Sequence, residues 1–149
     1  MGHGAEPRRI VIVVGVDGSE TSIHAGAYAA GMARRMRALL IVVYVHVIGH
    51  AAAAAAAAAP AALPLIGQAQ EGMVSELRRQ IKESGASADV DLELVERHGN
   101  PFRELVSVAT ERQADAVVVG ASMQSGHRLV GSLAVHLVRE ARWPVTVVP

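Results

Sequence analysis

Residues Arg9 to Val16 read RIVIVVGV, and Asp17-Gly18-Ser19 follows at once. A run this short, apolar and rich in β-branched residues reads as a strand buried on both faces. The Asp-Gly-Ser that stops it reads as a turn. Burial on both faces belongs to parallel sheets, whose crossover connections lay helices on each side. The same signature returns at Leu39 to Ile48 (LLIVVYVHVI) and at Asp115 to Val119 (DAVVV), which ends at Gly120.

Helical patterns separate these strands. Ser19 or Thr21 caps a helix running to about Arg37, with a small inner face of Ile23, Ala27, Ala30 and Met32 beside Gly26 and Gly31. Residues 50–65 form an Ala/Pro-rich connection containing nine consecutive alanines, Ala51 to Ala59. Alanine favours helix, but nine residues are too few to hold one alone in water, so a surface connection with at most a frayed turn is expected. Ile66, Met73, Leu77 and Ile81 restore helical spacing, and Gly85 stops it. Val90, Leu92 and Leu94 alternate with Asp91 and Glu93, which predicts a strand exposed on one face and near an edge. Asn100-Pro101 opens a helix with Leu105, Val106 and Ala109 as its apolar stripe. Ser132 to Arg142 forms another around Leu133, Leu137 and Ala141, and Pro144 to Val148 closes the chain as a strand. No hairpin signal stands out. Strands alternating with helices imply parallel pairing through right-handed crossovers. The expected fold is a Rossmann-like, open, parallel five-stranded α/β sheet with helices on both faces. It forms one domain over 1–149, led by a flexible segment 1–8.

Composition narrows the chemistry. Hydrophobic residues make up 51% of the 149, aromatics only 3%, and 27 Ala and 22 Val supply about a third of the chain. Fourteen basic residues balance fourteen acidic ones, which argues against a nucleic-acid footprint and against a polybasic membrane patch. Without cysteine there is no disulfide framework, thiol nucleophile or Cys-ligated metal, and a cytoplasmic address is permitted. Met1 to Arg9 lacks the apolar core of a secretory leader. Ala51 to Ile66, broken by Pro60 and Pro64, is a poor membrane span. Lys82 is the sole lysine and sits at the tail of a helical pattern, so no P-loop exists.

In such sheets ligands bind outside the carboxyl ends of the strands, where strand order reverses. That rule selects Asp17 to Ser19, Val47 to His50 and Gly120 to Ser132. Asp17 could accept from a ribose hydroxyl or an adenine amine, or help hold Mg²⁺; equally, it could serve only as a capping residue in an Asp-Gly turn. The segment GASMQSGHRLVGS, from Gly120 through Ala121, Gly126, His127 and Arg128 to Gly131 and Ser132, follows a strand and precedes a helix. Backbone N–H groups can wrap phosphate in that setting, though an ordinary exposed loop has the same composition. His46 and His50 lie roughly 13 Å apart on an extended chain and cannot share a metal unless the strand ends between them. His136 reads as packed or half-buried, and His3, His24 and His98 as surface residues. No Ser-His-Asp arrangement or carboxylate pair offers catalysis.

These residues resemble the universal stress protein family over nearly the whole chain. The matches are Val16-Asp17-Gly18-Ser19, His46-Val47, Gly99-Asn100-Pro101, Ala114 to Gly120, Gly131-Ser132 and Trp143 to Val148. The resemblance implies an adenine nucleotide alpha hydrolase-like fold, a homodimer through the C-terminal strand 145–148, and a regulatory protein that binds ATP in many members. By position, Asp17, with Gly18 and Ser19, would meet ribose and adenine, and the Val47 main chain the adenine. Gly120, Ala121, Gly131, Ser132 and Leu133 would hold ribose and phosphates, with Gly126, His127 and Arg128 between them. The sequence departs from the family's nucleotide motif at Met123, where a glycine belongs, and Gly120 to Gly131 is two residues short. A nucleotide-free homodimeric scaffold is therefore the alternative to an ATP-binding regulator. Slow ATP hydrolysis stays open, without an evident general base.

Overall fold

The structure is a computed structural model that describes residues 7–47, 49–124, 127–129 and 131–149; the side chains at 50, 51, 122–124 and 127–129 lie outside that description. The N-terminal residues 1–6 and the candidate Gly126 fall outside it as well.

The opening run forms β1 (Val11–Val16), with Ile12, Val13 and Val14 fully enclosed. Burying one such side chain contributes about 1.5–3 kcal/mol, and here both faces of the strand do so. α1 (Glu20–Met36) follows, then β2 (Leu39–His46). After the crossover region come β3 (Asp91–His98), α5 (Pro101–Glu111), β4 (Ala116–Gly120), α6 (Ser132–Glu140) and β7 (Val145–Val148). The five strands pair in parallel in the order β3-β2-β1-β4-β7, which reverses direction between β1 and β4. The charged, alternating strand is at an edge, as its pattern predicts, because only one of its faces needs an apolar cover.

Each face of the sheet carries its own core. Ile12, Val14, Leu40 and Val42 meet α1 and the Val74–Leu77 stripe of α3 (Leu63–Glu83). Val11, Val13, Ile41, Val43, Val117 and Val119 meet Leu105 and Val108 of α5 and Leu137 of α6. The face α1 turns inward is Thr21, Ser22, Ala25, Ala29, Ala30 and Ala33. That corrects the expected stripe. Ile23 and Ala27 are exposed, and the i, i+4 row of alanines is what lets the helix lie close on the strands.

Two connections differ from expectation. The alanine run is a helix, α2 (His50–Ala58), largely exposed and packed chiefly on the 3-10 turn Pro60–Ala62 that follows it. α3 then leads through Gly85, at φ +69°, into the short α4 (Ala86–Asp89). Between β4 and α6 the chain does form a hairpin-like pair: β5 (Ser122–Gln124) runs antiparallel to β6 (His127–Leu129). Strands of three residues are too short to display an alternating pattern.

Candidate functional site

A cleft of about 640 Å³ opens at the carboxyl end of the sheet, over the β1–β4 reversal. Its walls are apolar: Gly15, Val43, Val45 and Val119 from the strands, with Pro101, Leu105 and Ala134 from α5 and α6. Gly15 keeps that wall open, because a β-carbon there would press on Leu105 at 3.3 Å. Polar groups gather at the mouth: Asp17, Ser19, Thr21 and Ser22, with Gly120, Ala121, Gly131 and Ser132.

The Asp17 side is built by a turn. Gly18 sits at φ +85°, in the left-handed region that favours glycine, and a β-carbon there would also run into the Met73 methyl. Asp17 accepts the Ser19 N–H at 2.9 Å, and its own N–H donates to the Ser22 hydroxyl at 3.2 Å. Burial works against the Asp17 charge, but donors from Ser19 and Ser22 outweigh it and hold the carboxyl below its usual value. Asp17 is thus an anion at neutral pH. Tyr44, beside it, has its pKa raised by burial and then by the Asp17 charge, so its hydroxyl stays a donor. Ser19 caps α1, its hydroxyl accepting the Ser22 N–H.

A helix end also reaches the cleft. α6 starts at Ser132 with Gly131 as N-cap, and no side chain caps it. First-turn N–H groups without an internal acceptor, together with the helix dipole, make such an end a place for negative charge. α5 also starts at the cleft, at Pro101, capped by Asn100, whose side chain accepts the Arg103 N–H at 3.1 Å.

A family model described as "Universal stress protein family" matches residues 10–149. The chain belongs to the universal stress protein family. Among its relatives, a universal stress protein of Methanocaldococcus jannaschii is 27% identical over 92% of this chain and 80% of its own length. The universal stress protein UspA of Lactobacillus plantarum superposes with a TM-score of 0.74, covering 97% of this chain and all of that one at 24% identity. A universal stress protein solved in complex with cAMP superposes at 0.63, with 26% identity over 94% of this chain and 96% of its own. The five-stranded parallel sheet is the adenine nucleotide alpha hydrolase-like arrangement of this family.

Of the residues singled out in the sequence, Asp17, Ser19, Val47, Gly120, Ala121, Gly131, Ser132 and Leu133 line the cleft of this universal stress protein. Gly18 does not: it turns the chain under Met73. His127 and Arg128 lie on β6, with their side chains outside the described residues. The sequence reading missed Gly15, Val43, Tyr44, Pro101 and Leu105. The end-of-strand rule applied to β2 would have found Val45, and Asn100-Pro101, recognised as a helix start, would have found Pro101. His46, the last residue of β2, is buried, and His136, expected to be packed or half-buried, is exposed, its ring 5.4 Å from that of Phe102. Among the described residues, no three His, Cys, Asp or Glu side chains converge on a metal position, and no helix is long and apolar enough to cross a membrane.

Proposed function

We propose that this chain is a regulatory, cytoplasmic, homodimeric protein that binds an adenine nucleotide, ATP with Mg²⁺, in the cleft. The observation that carries the reading is the meeting, in one cleft, of a carboxylate and an uncapped helix start. Asp17 is an anion that can accept only from donors, such as a ribose hydroxyl or an adenine amine, and it repels phosphate. The uncapped start of α6 at Gly131 and Ser132 attracts phosphate. The apolar wall between them suits a planar base. A nucleotide carries a base, hydroxyl and amine donors, and phosphate, one partner for each of these features. The relative solved with cAMP supports an adenine ligand.

Asp17 is the one carboxylate among the described lining residues. Mg²⁺ usually takes one or two carboxylates and completes its shell with phosphate oxygens and water. One carboxylate cannot cage a metal, so Mg²⁺ would arrive on the nucleotide's phosphates, and Asp17 would hold it only in place of the ribose and adenine donors. Binding, transmitted through the segment from Gly120 to Ser132, is the activity.

Thermal denaturation with and without millimolar Mg²⁺-ATP, AMP and cAMP tests this. A ligand binding only the native state at 100 times its Kd stabilises it by about 2.7 kcal/mol. For a chain of this size that raises Tm by several degrees, at about 2–4 °C per kcal/mol. No shift with any of the three overturns nucleotide binding. One observation favours the alternative, a nucleotide-free scaffold: Met123 pairs with Arg128 in the β5–β6 ribbon, so backbone there is engaged in a ladder where the family motif has a glycine.

A further inference from the structure

On the α3 side of the sheet, where β2 and β3 end together, stands a polar cluster that shares only Tyr44 with the cleft. His46 and His98 are register partners, the last pair of the β2–β3 ladder. Their rings stack, 4.5 Å between centroids and 19° between planes. Tyr44 meets the His46 ring edge-on at 4.8 Å. The His46 side chain is only 5% exposed; its Nε2 lies 3.2 Å from Glu96 Oε2, and among the described residues its buried Nδ1 has no partner. The other Glu96 oxygen accepts from Arg78 of α3 at 2.7 Å. Among the described residues, the charged or titratable groups that bear on His46 are therefore Glu96 and His98 from β3, Tyr44 from β2, Arg78 from α3 through Glu96, and Asp17 at the end of β1 acting through Tyr44. Arg97 points the other way, to Glu111 of α5.

Two neutral imidazoles at this spacing attract as any stacked rings do. Two imidazolium rings repel. Glu96 can compensate one charge, but it is already shared with Arg78, and the unpartnered Nδ1 of His46 would become a buried N–H with no acceptor. Just beyond the stack the Gly99 N–H donates to the His46 carbonyl at 3.2 Å, and Val47, the next residue, is at the cleft.

We infer that the His46–His98 stack is a proton-operated clasp: with neutral rings it closes the carboxyl ends of β2 and β3, and charging both rings parts those ends and moves Val47 at the cleft. This goes beyond the nucleotide reading and does not depend on it, because the clasp exists in the ligand-free chain.

The test is an NMR titration of the ligand-free protein from pH 8 to pH 5, following the imidazole signals of His46 and His98 and hydrogen exchange at the Gly99 amide. Expected is a loss of Gly99 protection of at least tenfold, after correction for intrinsic exchange, together with movement of the Val47 amide signal, both tracking the imidazole titration. His98→Phe keeps a ring on His46 but cannot take a proton; it should abolish the pH dependence and keep the protection measured at pH 8. Should that variant fail to fold, the wild-type titration decides alone. Imidazole signals that titrate while Gly99 protection and Val47 stay constant overturn the clasp, as does an equal pH dependence in His98→Phe. Nucleotide binding can fail with either result, so the two readings fall separately.

Discussion

A β-carbon at Gly120 would stand 2.6 Å from the carbonyl carbon of Thr21 and 2.8 Å from the nitrogen of Ser22. These are main-chain atoms of the first turn of α1, which cannot swing aside like the tip of a side chain. The first turn of α1 therefore rests directly on the end of β4, and only a residue without a side chain allows it. This contact brings Ser19, Thr21 and Ser22 to the cleft, so Gly120 shapes the site through packing whether or not a phosphate ever approaches it. Gly120→Ala should destabilise the ligand-free protein by about 1–3 kcal/mol, the usual result of overpacking. Gly67, inside α3, is the contrast: a β-carbon there would meet nothing within 4 Å. Gly67→Ala should stabilise by up to about 1 kcal/mol through helix propensity. Denaturant melts of both variants without ligand check the pair, and equal midpoints would remove the packing explanation.

At the scale of elements, three helices end the same way. Arg37, Gln113 and Ala141 take the left-handed conformation, at φ 51°, 51° and 52°, just before β2, β4 and β7. The Ala38 and Ala114 N–H groups then reach back to the carbonyls of Ala33 and Ala109 at 2.9 and 2.8 Å, closing two of these helix ends. A side chain in this conformation costs about 1–2 kcal/mol, partly offset because glycine has more chain entropy to lose. Ala141→Gly should thus stabilise by about 0.5–1 kcal/mol and raise Tm by a degree or more; a lower Tm would show that the joint is not strained. The same joints explain where the sequence was legible. Helix starts at Ser19 and Asn100 could be read because a capping side chain is chemically visible, whereas these helix ends lack the glycine that usually marks them. The buried strands were legible because both faces demand apolar residues. The inner face of α1 was not: with alanine on every side it has little amphipathic contrast, and Gly26 and Gly31 drew the reading to the wrong stripe. For the cleft, the strand-end rule found Asp17, Gly120 and the Gly131–Ser132 helix start, because each follows or precedes a recognisable element. Gly15 and Leu105 escaped it, since their part in the cleft arises from α5 crossing over β1, a contact between residues 90 apart in sequence.

At the scale of the whole molecule, the two edges of the sheet differ in a way that bears on assembly. β3 is guarded by charge: Asp91 pairs with Arg9, Glu93 with Arg112, Glu96 with Arg78 and Arg97 with Glu111. Charged side chains along an edge discourage pairing with another chain. β7, at the far edge, reads Val-Thr-Val-Val, has no charge, and is only half-buried along its length. Its hydrogen-bonding direction follows from two bonds. The Val117 N–H donates to the Pro144 carbonyl at 3.0 Å and the Ala121 N–H to the Val148 carbonyl at 2.7 Å. Alternation along a strand then turns Thr146 toward β4 and leaves the N–H and C=O of Val145 and Val147 aimed outward. This is the free edge through which we propose the homodimer forms. Val147→Pro removes an outward N–H while leaving the bonds to β4 in place, and Thr146→Lys puts a charge on the edge without altering its backbone. Light scattering coupled to gel filtration should find the wild type at twice the mass of one chain and both variants shifted toward a single chain, with circular dichroism unchanged. A wild type that stays at one chain's mass as concentration rises would overturn pairing through β7, and variants that remain dimeric would move the interface elsewhere on the molecule.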